Sequence, residues 1–248
     1  MEKQTDSGYP VSVANLATLI NLCAIFGAKY KPIKFAIKLE NLKALLDRVK
    51  ISLTVVDEAL EEMSSAIKMR LLVFSELEAL VTRIMGAVGS SDILTEKEKK
   101  FASIVRKFRG SRATAVAEPK PTTTTDAVSP DNVKINSTAQ RSFDRKADNF
   151  SELVTFLKGE PNYQTDELDL TVDALLAMVS ELEARNEAVR KTKSAYIKAR
   201  IDRNKLFFEP VNGLVPCTKA VKKYVKSVFK AKSPEFEAVS GIAFKVRK

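Results

Sequence analysis

The sequence predicts an all-α fold, an elongated antiparallel helical bundle built on two long helices. Three observations lead to this prediction. Residues that break helices are scarce in the 248-residue chain, which has 8 Gly and 9 Pro. Apolar residues recur at helical spacing over two long stretches. Finally, both halves of the chain show a short helix, a long helix and a basic amphipathic helix in that order, which favours a tandem duplication.

The first long helix is predicted from a heptad pattern between Phe35 and Val88, in which apolar residues alternate at steps of four and three. Only Arg70 interrupts the stripe, and no Pro or Gly falls between Lys34 and Met85. One helix of this length would extend roughly 80 Å. Further apolar residues widen the stripe, which favours a bundle over a lone two-stranded coiled coil. These are Leu45, Leu72 and Leu80.

The second long helix is predicted to start at Thr165 or Asp166, either of which could cap it, and to end near Phe208. The first half of its stripe is apolar, but the second half carries polar residues, namely Asn186, Lys193, Arg200 and Arg203. Two interpretations are open. The one we favour is that the apolar face drifts around the helix, with Ala195, Ala199, Ile201 and Leu206 replacing the stripe. The other is a polar seam or basic groove.

A Pro/Thr-rich stretch, "AEPKPTTTTDAVSPDN", separates two similar halves of the chain. The segment "NLATLINLC" from Asn15 resembles "NFSELVTFL" from Asn149, and "ALLDRV" from Ala44 resembles "ALLAMV" from Ala174. We therefore predict two repeats that pack together as one domain. The predicted ranges are 1–115 for the first helical repeat, 116–135 for a linker or loop, 136–233 for the second repeat and 234–248 for an extended C-terminal tail.

Each repeat contains a short helix with one apolar face and one basic face. The basic residues form a candidate anion-binding surface, which consists of Lys99, Lys100, Arg106, Lys107 and Arg109 in the first repeat, and Lys219, Lys222, Lys223, Lys226 and Lys230 in the second. The simpler interpretation is a packed amphipathic helix whose lysines are merely solvated. The alternative is a phosphate-binding surface, in keeping with the net charge of +10.

The tail from Ser233 onwards is predicted to be extended rather than helical. Its apolar residues would form a clasp along the bundle or on a neighbouring subunit, and we favour the clasp within one chain. The residues concerned are Phe236, Val239, Ile242 and Phe244.

The sequence lacks the residues that most enzymes use. It contains no His, which removes the usual general base and the commonest metal ligand. We therefore predict no catalytic residue, no metal site, no cofactor and no small-molecule substrate. Cys23 and Cys217 lie among apolar or helical neighbours and are expected to be buried thiols. The apolar N-terminal stretch is interrupted by polar residues, so we expect neither a membrane span nor a signal peptide, and a cytoplasmic protein. Non-classical export stays open.

The C-terminal sequence "GLVPCTKAVKKYVKSVFKAKSPEFEAVSGIAFK", with "NKLFF" before it and "FGAKY" near Gly27, resembles uncharacterised all-helical bacterial proteins. The resemblance implies an all-α bacterial protein and attaches no activity or ligand to it.

Three functions are compatible with these patterns. The leading one is a non-catalytic helical scaffold that binds a protein partner, above all its own copies, through the long apolar stripes. The second is nucleic-acid binding through the basic helices. The third is action on an anionic membrane surface, including pore formation, with Val11–Ala28 or the tip from Val81 as the inserting element.

Overall fold

The structure is a computed structural model that describes residues 8–110 and 142–244. This part of the chain is all-α as predicted, with no β-strand. Seven α-helices follow one another: α1 Gly8–Ile25, α2 Leu39–Gly89, α3 Thr95–Arg109, α4 Phe143–Lys158, α5 Val172–Phe208, α6 Leu214–Phe229 and α7 Pro234–Ser240. Short 3-10 turns occupy Gly27–Lys29, Phe35–Ile37 and Leu168–Leu170. The predicted linker 116–135 and residues 245–248 of the predicted tail lie outside the described residues.

Both long helices are present, but each begins later than predicted. Helix α2 has 51 residues and starts at Leu39, because the preceding residues Phe35–Ile37 form a 3-10 turn. Helix α5 starts at Val172, so the predicted start at Thr165 or Asp166 is wrong. The Thr171 hydroxyl accepts a hydrogen bond from the Ala174 amide at 3.3 Å and thereby satisfies one of the free amides of the first turn.

The chain divides into two compact units. Unit 1 comprises Met1–Ser65 and Lys191–Lys248, and unit 2 comprises Ala66–Arg190. These boundaries differ from the predicted repeats 1–115 and 136–233, because each unit takes one half of each long helix. Each core therefore combines helices from both halves of the sequence.

Unit 2 has a core formed by the second half of α2, by α3 and α4, and by the first half of α5. Aromatic residues of α3 and α4 fill its centre, and Phe108 and Phe150 are fully buried. The apolar residues predicted for the inner face of α3 are all buried there: Phe101, Ile104, Val105 and Phe108. Residues of the α2 tip, including Val81, Ile84 and Val88, belong to the same core, whereas Met85 of the tip is 36% exposed.

Unit 1 has a core formed by α1, the first half of α2, the end of α5, α6 and α7. Helix α1 contributes Leu16 and Leu19, which are fully buried. It is also the one described helix that is long and apolar enough to cross a membrane by length and composition, and 39% of that stretch is buried in unit 1. In this structure α1 therefore serves as a core helix.

The polar stretch of α5 is partly a buried seam, so the drift interpretation is wrong. Asn186 and Arg203 are only 3% and 2% exposed, whereas Ile201, which the drift would bury, is 50% exposed. The guanidinium carbon of Arg203 lies 3.8 Å from the centre of the Tyr9 ring. Stacking on an aromatic ring stabilises a buried guanidinium, and this explains why an arginine occupies a core position.

Arg70, the single interruption of the α2 stripe, is accommodated in the same way. Its guanidinium carbon lies 4.0 Å from the centre of the Phe143 ring at the start of α4. Phe74 packs edge-on against the same ring at 4.9 Å. At this position of the stripe, Arg70 stacks on an aromatic ring where an aliphatic residue would otherwise pack into the core. The helix therefore continues without a break.

The C-terminal segment is helical where an extended tail was predicted. Helix α7 begins with Pro234 directly after Ser233, whose hydroxyl accepts a hydrogen bond from the Phe236 amide at 3.1 Å. Ser at the N-cap and Pro in the first turn are both favourable, and they outweigh the missing apolar periodicity. Val239 is fully buried in the core of unit 1, and three partly buried residues pack against the same core: Phe236, Ile242 and Phe244.

Candidate functional site

The turn from α5 into α6 sets the position of the basic helix α6. Gly213 precedes α6, and a Cβ atom added there would lie 2.6 Å from the backbone oxygen of Glu209. Only glycine permits this close approach of two backbone segments. The turn directs the apolar face of α6, including Cys217, Val221 and Val225, into the core of unit 1.

Two of the predicted anion-binding lysines of α6 contact the end of the same chain. The Lys222 ammonium donates a hydrogen bond to the carbonyl oxygen of Ser240 at 2.9 Å and a second to that of Ile242. Partial burial lowers the pKa of Lys222. The Lys226 ammonium lies 5.8 Å from the centre of the Phe236 ring. Both side chains therefore hold the C-terminal segment in place.

The remaining predicted lysines of α6 face solvent. Lys219, Lys223 and Lys230 are exposed, and none forms an ion pair with another described residue. They are the part of this helix that is available to an external anion.

The predicted basic residues of α3 belong to unit 2, where two of the five form ion pairs. Lys107 pairs with Glu152 at 3.1 Å, and Arg109 lies 3.8 Å from a carboxylate oxygen of Glu78. The Lys100 ammonium lies 6.0 Å from the centre of a Phe156 ring. Within the described chain, three residues of this set are exposed and have no ion pair: Lys99, Lys100 and Arg106. Five of the ten predicted residues thus belong to unit 2 and five to unit 1.

Sequence reasoning missed a second group of basic residues beside α6. The segment 27–38, here called the basic loop, connects α1 to α2 and carries four exposed lysines, Lys29, Lys31, Lys34 and Lys38. The Lys31 amide donates a hydrogen bond to the Tyr224 hydroxyl of α6 at 2.9 Å. The ring of Tyr30 packs edge-on against that of Tyr224, with 5.3 Å between their centres. The signal was present in the sequence, since no Asp or Glu occurs between Asp6 and Glu40.

An apolar groove between α2 and α5 is the second candidate feature of unit 1. It has a volume of about 260 Å³ and is lined by Arg48, Ile51, Ser52, Val55, Ala199, Asp202, Arg203 and Leu206. Ile51 and Val55 on its α2 wall are 63% and 45% exposed. The large aliphatic side chains that this groove leaves in water belong to its α2 wall. Other residues of α2 are exposed outside the groove, among them Leu71 at 50% and Leu72 at 58%.

The two cysteines are free and buried, as expected. Burial raises the pKa of the Cys23 thiol to about 11, against a smaller opposing effect of its hydrogen bond with Tyr30. Burial also raises the pKa of Cys217, with Lys34 and Arg48 acting in the opposite direction. Both side chains are therefore neutral thiols at neutral pH. In the described part of the chain, no group of three or more potential metal ligands occurs.

Comparisons of the chain with protein-family models, with curated proteins and with solved structures found no match.

Proposed function

We propose that the protein is a non-catalytic helical scaffold that binds a second copy of itself through the apolar groove of unit 1. The observation that carries the proposal is the exposure of Ile51 and Val55 in this groove. Covering such side chains by a partner removes apolar surface from water, which is the main driving force of association.

The charges at the rim of the groove favour a second copy over an unrelated partner. Arg48 lies on the α2 wall and Asp202 on the α5 wall. A two-fold dimer requires a surface that complements itself. If one residue of the first copy contacts a different residue of the second copy, the reverse contact is also formed. Asp202 pairs within its own helix with Lys198 at 3.9 Å and Lys205 at 3.7 Å. In a two-fold dimer, Arg48 of each copy can join this exposed charge cluster of the other copy.

The protonation of the two cysteines supports the proposal that the protein is not an enzyme. The raised pKa values of Cys23 and Cys217 keep both thiols protonated, and a protonated thiol is a poor nucleophile. The chain contains no His that could activate them.

An internal duplication is part of the same proposal, and matched contacts in the two units support it. In unit 2, Phe143 contacts Arg70 and Phe74. In unit 1, Tyr9 contacts Arg203 and Phe207, and the ring centres of Tyr9 and Phe207 are 4.9 Å apart. The ring pairs are edge-on in both cases. We propose that the arginines, which seemed to violate the heptad pattern, descend from one ancestral position.

The self-association is tested by light scattering on a size-exclusion column. We expect a dimer that persists in high salt, because apolar contacts survive screening. Ile51→Glu should convert it to a monomer of 27.5 kDa. Val11→Glu is the matched control, since Val11 of α1 is exposed to a similar extent, 58% against 63%, and lies outside the groove. A wild-type monomer at all concentrations, or equal effects of the two substitutions, would contradict the proposal.

A charge swap tests the arrangement of the two copies. Arg48→Glu and Asp202→Arg should each weaken the dimer, because each places like charges opposite one another. The double variant should restore it. If the double variant is as weak as the single ones, the groove does not form the two-fold contact.

A further inference from the structure

The basic loop holds two large apolar side chains in water. Ile33 is 97% exposed and Phe35 is 72% exposed. Their neighbours Tyr30 and Ile37 are buried, and the Tyr30 hydroxyl donates a hydrogen bond to the Ile37 carbonyl oxygen at 2.7 Å. The Asn41 side-chain amide also donates to the Phe35 carbonyl oxygen at 2.7 Å. The loop is thus pinned on both sides of the projecting side chains, and exposed apolar residues on an anchored loop indicate an interaction site.

Lysines surround these two side chains, and the nearest acidic residue along the chain is Glu40 in the first turn of α2. The four lysines of the basic loop are exposed, and residues 8–38 contain no Asp or Glu. Helix α6, which packs against the loop, has no acidic residue either and adds the exposed Lys223. Charge of one sign on a surface attracts a partner of the opposite sign.

Unit 2 contains a loop of the same design with the opposite charge. The Tyr163 hydroxyl donates to the carbonyl oxygen of Leu170 at 2.9 Å, seven residues along the chain as in the pair Tyr30 and Ile37. Each loop ends in a 3-10 turn before a long helix. Leu168 is 85% exposed at the position that corresponds to Phe35.

The charges of this second loop show that its backbone does not require lysine. Its acidic residues are Glu160, Asp166, Glu167 and Asp169. Arg83 forms an ion pair with Asp169 and lies 3.6 Å from Glu167. The two loops share one backbone arrangement, although one carries lysines and the other carries acidic residues. The four lysines of the basic loop are therefore not needed to fold it.

From these observations we propose that the basic loop docks the protein on an anionic lipid membrane. Ile33 and Phe35 enter the boundary between headgroups and acyl chains, while the surrounding lysines contact the anionic headgroups. Each lysine near such a surface raises the affinity about fivefold. A nucleic acid would engage the lysines but would leave Ile33 in water, so a lipid surface fits the exposed side chains better. The proposal goes beyond self-association and uses residues outside the groove.

The sharpest test uses the absence of Trp from the chain. Phe35→Trp places a single indole on the basic loop, and Leu168→Trp places one on the acidic loop as the matched control. With vesicles of phosphatidylserine and phosphatidylcholine, we expect a blue shift of the Phe35→Trp emission that is reduced by salt. With phosphatidylcholine vesicles alone, and for Leu168→Trp, we expect no shift. A shift that is the same for both variants, or none for either, would overturn the proposal.

Vesicle sedimentation tests the contribution of the side chains. Replacing both Ile33 and Phe35 by Ser should lower the affinity for anionic vesicles about tenfold or more, and Leu168→Ser should leave it unchanged. Thermal unfolding establishes that the variants are folded, which we expect because all three side chains are exposed. Equal binding to neutral vesicles would overturn the proposal. So would binding to duplex DNA at protein concentrations that leave anionic vesicles free.

Discussion

At the scale of single residues, the turn before α6 depends on the absence of a side chain at Gly213. A Cβ atom there would lie 2.6 Å from the Glu209 oxygen and 2.7 Å from the Glu209 nitrogen. Both are backbone atoms, so relief requires movement of the α5 end rather than of a side chain. The conflict would be transmitted to Phe207 and Leu214, which are fully buried on either side of the turn.

We expect Gly213→Ala to reduce the free energy of unfolding by about 2–4 kcal/mol, because the backbone must shift against a packed core. Gly86→Ala is the matched control. Gly86 is exposed within α2, and an added Cβ would meet nothing within 4 Å. That substitution should stabilise the protein by up to about 1 kcal/mol, as Ala is the better helix former. Chemical denaturation of both variants measures the difference, and equal stabilities would contradict our account of the turn.

The buried arginines show what sequence reasoning cannot supply at this scale. The heptad pattern identified Arg70 and Arg203 as exceptions. Their stacking partners Phe143 and Tyr9 lie far away in sequence, so no local pattern connects them. Because a lone arginine in an apolar stripe is ordinarily solvated, the drift of the apolar face was the reasonable but wrong expectation for the end of α5.

At the scale of elements, α7 depends on a lysine of the neighbouring helix. The Lys222 ammonium donates hydrogen bonds to the carbonyl oxygens of Ser240 and Ile242. Ser240 is the last residue of α7, and Ile242 follows the helix. A cation at this end of a helix also compensates the partial negative charge of the free carbonyl groups. Lys222 is therefore a structural contact before it is a candidate binder of external anions.

We expect Lys222→Ala to lower the free energy of unfolding by about 1 kcal/mol, the size of a partly exposed charged hydrogen bond. Lys223→Ala is the control, since Lys223 is exposed and makes no ion pair with another described residue. It should change stability by less than about 0.5 kcal/mol. Hydrogen exchange should also show faster opening of α7 in the Lys222 variant alone. Unchanged protection of α7 would mean that the two hydrogen bonds do not hold it.

Elements with strong apolar periodicity were predictable, and those defined by caps were not. The stripe predicted α2 and α5, because burial of one face determines a helix of that length. Both ends of α2 and the last residue of α5 lie within a few residues of the prediction, whereas α5 starts six or seven residues later than predicted. Helix α7 was missed, although Ser233 and Pro234 carry the signal of a helix start. With only seven residues and one buried side chain, Val239, the helix offers no periodicity to recognise. The basic loop was missed because its lysines are separated by apolar residues, not clustered on a helix.

At the scale of the whole molecule, the two units differ in how the chain builds them. Unit 2 is the continuous segment Ala66–Arg190, whereas unit 1 combines Met1–Ser65 with Lys191–Lys248. The Tyr9 hydroxyl, for example, donates to the Asn204 side chain at 2.8 Å across 195 positions of sequence. The similarity between the two halves of the sequence predicts two consecutive repeats. A comparison of one half with the other cannot reveal that each core combines helices from both halves.

We expect a fragment of residues 66–190 to fold alone, because all the elements of the unit 2 core are present in it. Circular dichroism with a cooperative thermal transition would establish this. A fragment of residues 1–65 should fail to give such a transition, since α1 and the first half of α2 lose the α6 side chains that share their core. A cooperative transition in the shorter fragment would show that its half of the core is sufficient.

The divided unit 1 also has a consequence for synthesis on the ribosome. Helix α1 shares its core with Phe207, Leu214 and Val221, which are translated about 190 residues or more after it. At about 5–20 residues per second, the nascent chain carries unpaired apolar residues such as Leu16 and Leu19 for about ten seconds or more. Unit 2 can be completed during this interval. Helix α1 is therefore the helix that waits longest during synthesis for the residues that complete its core.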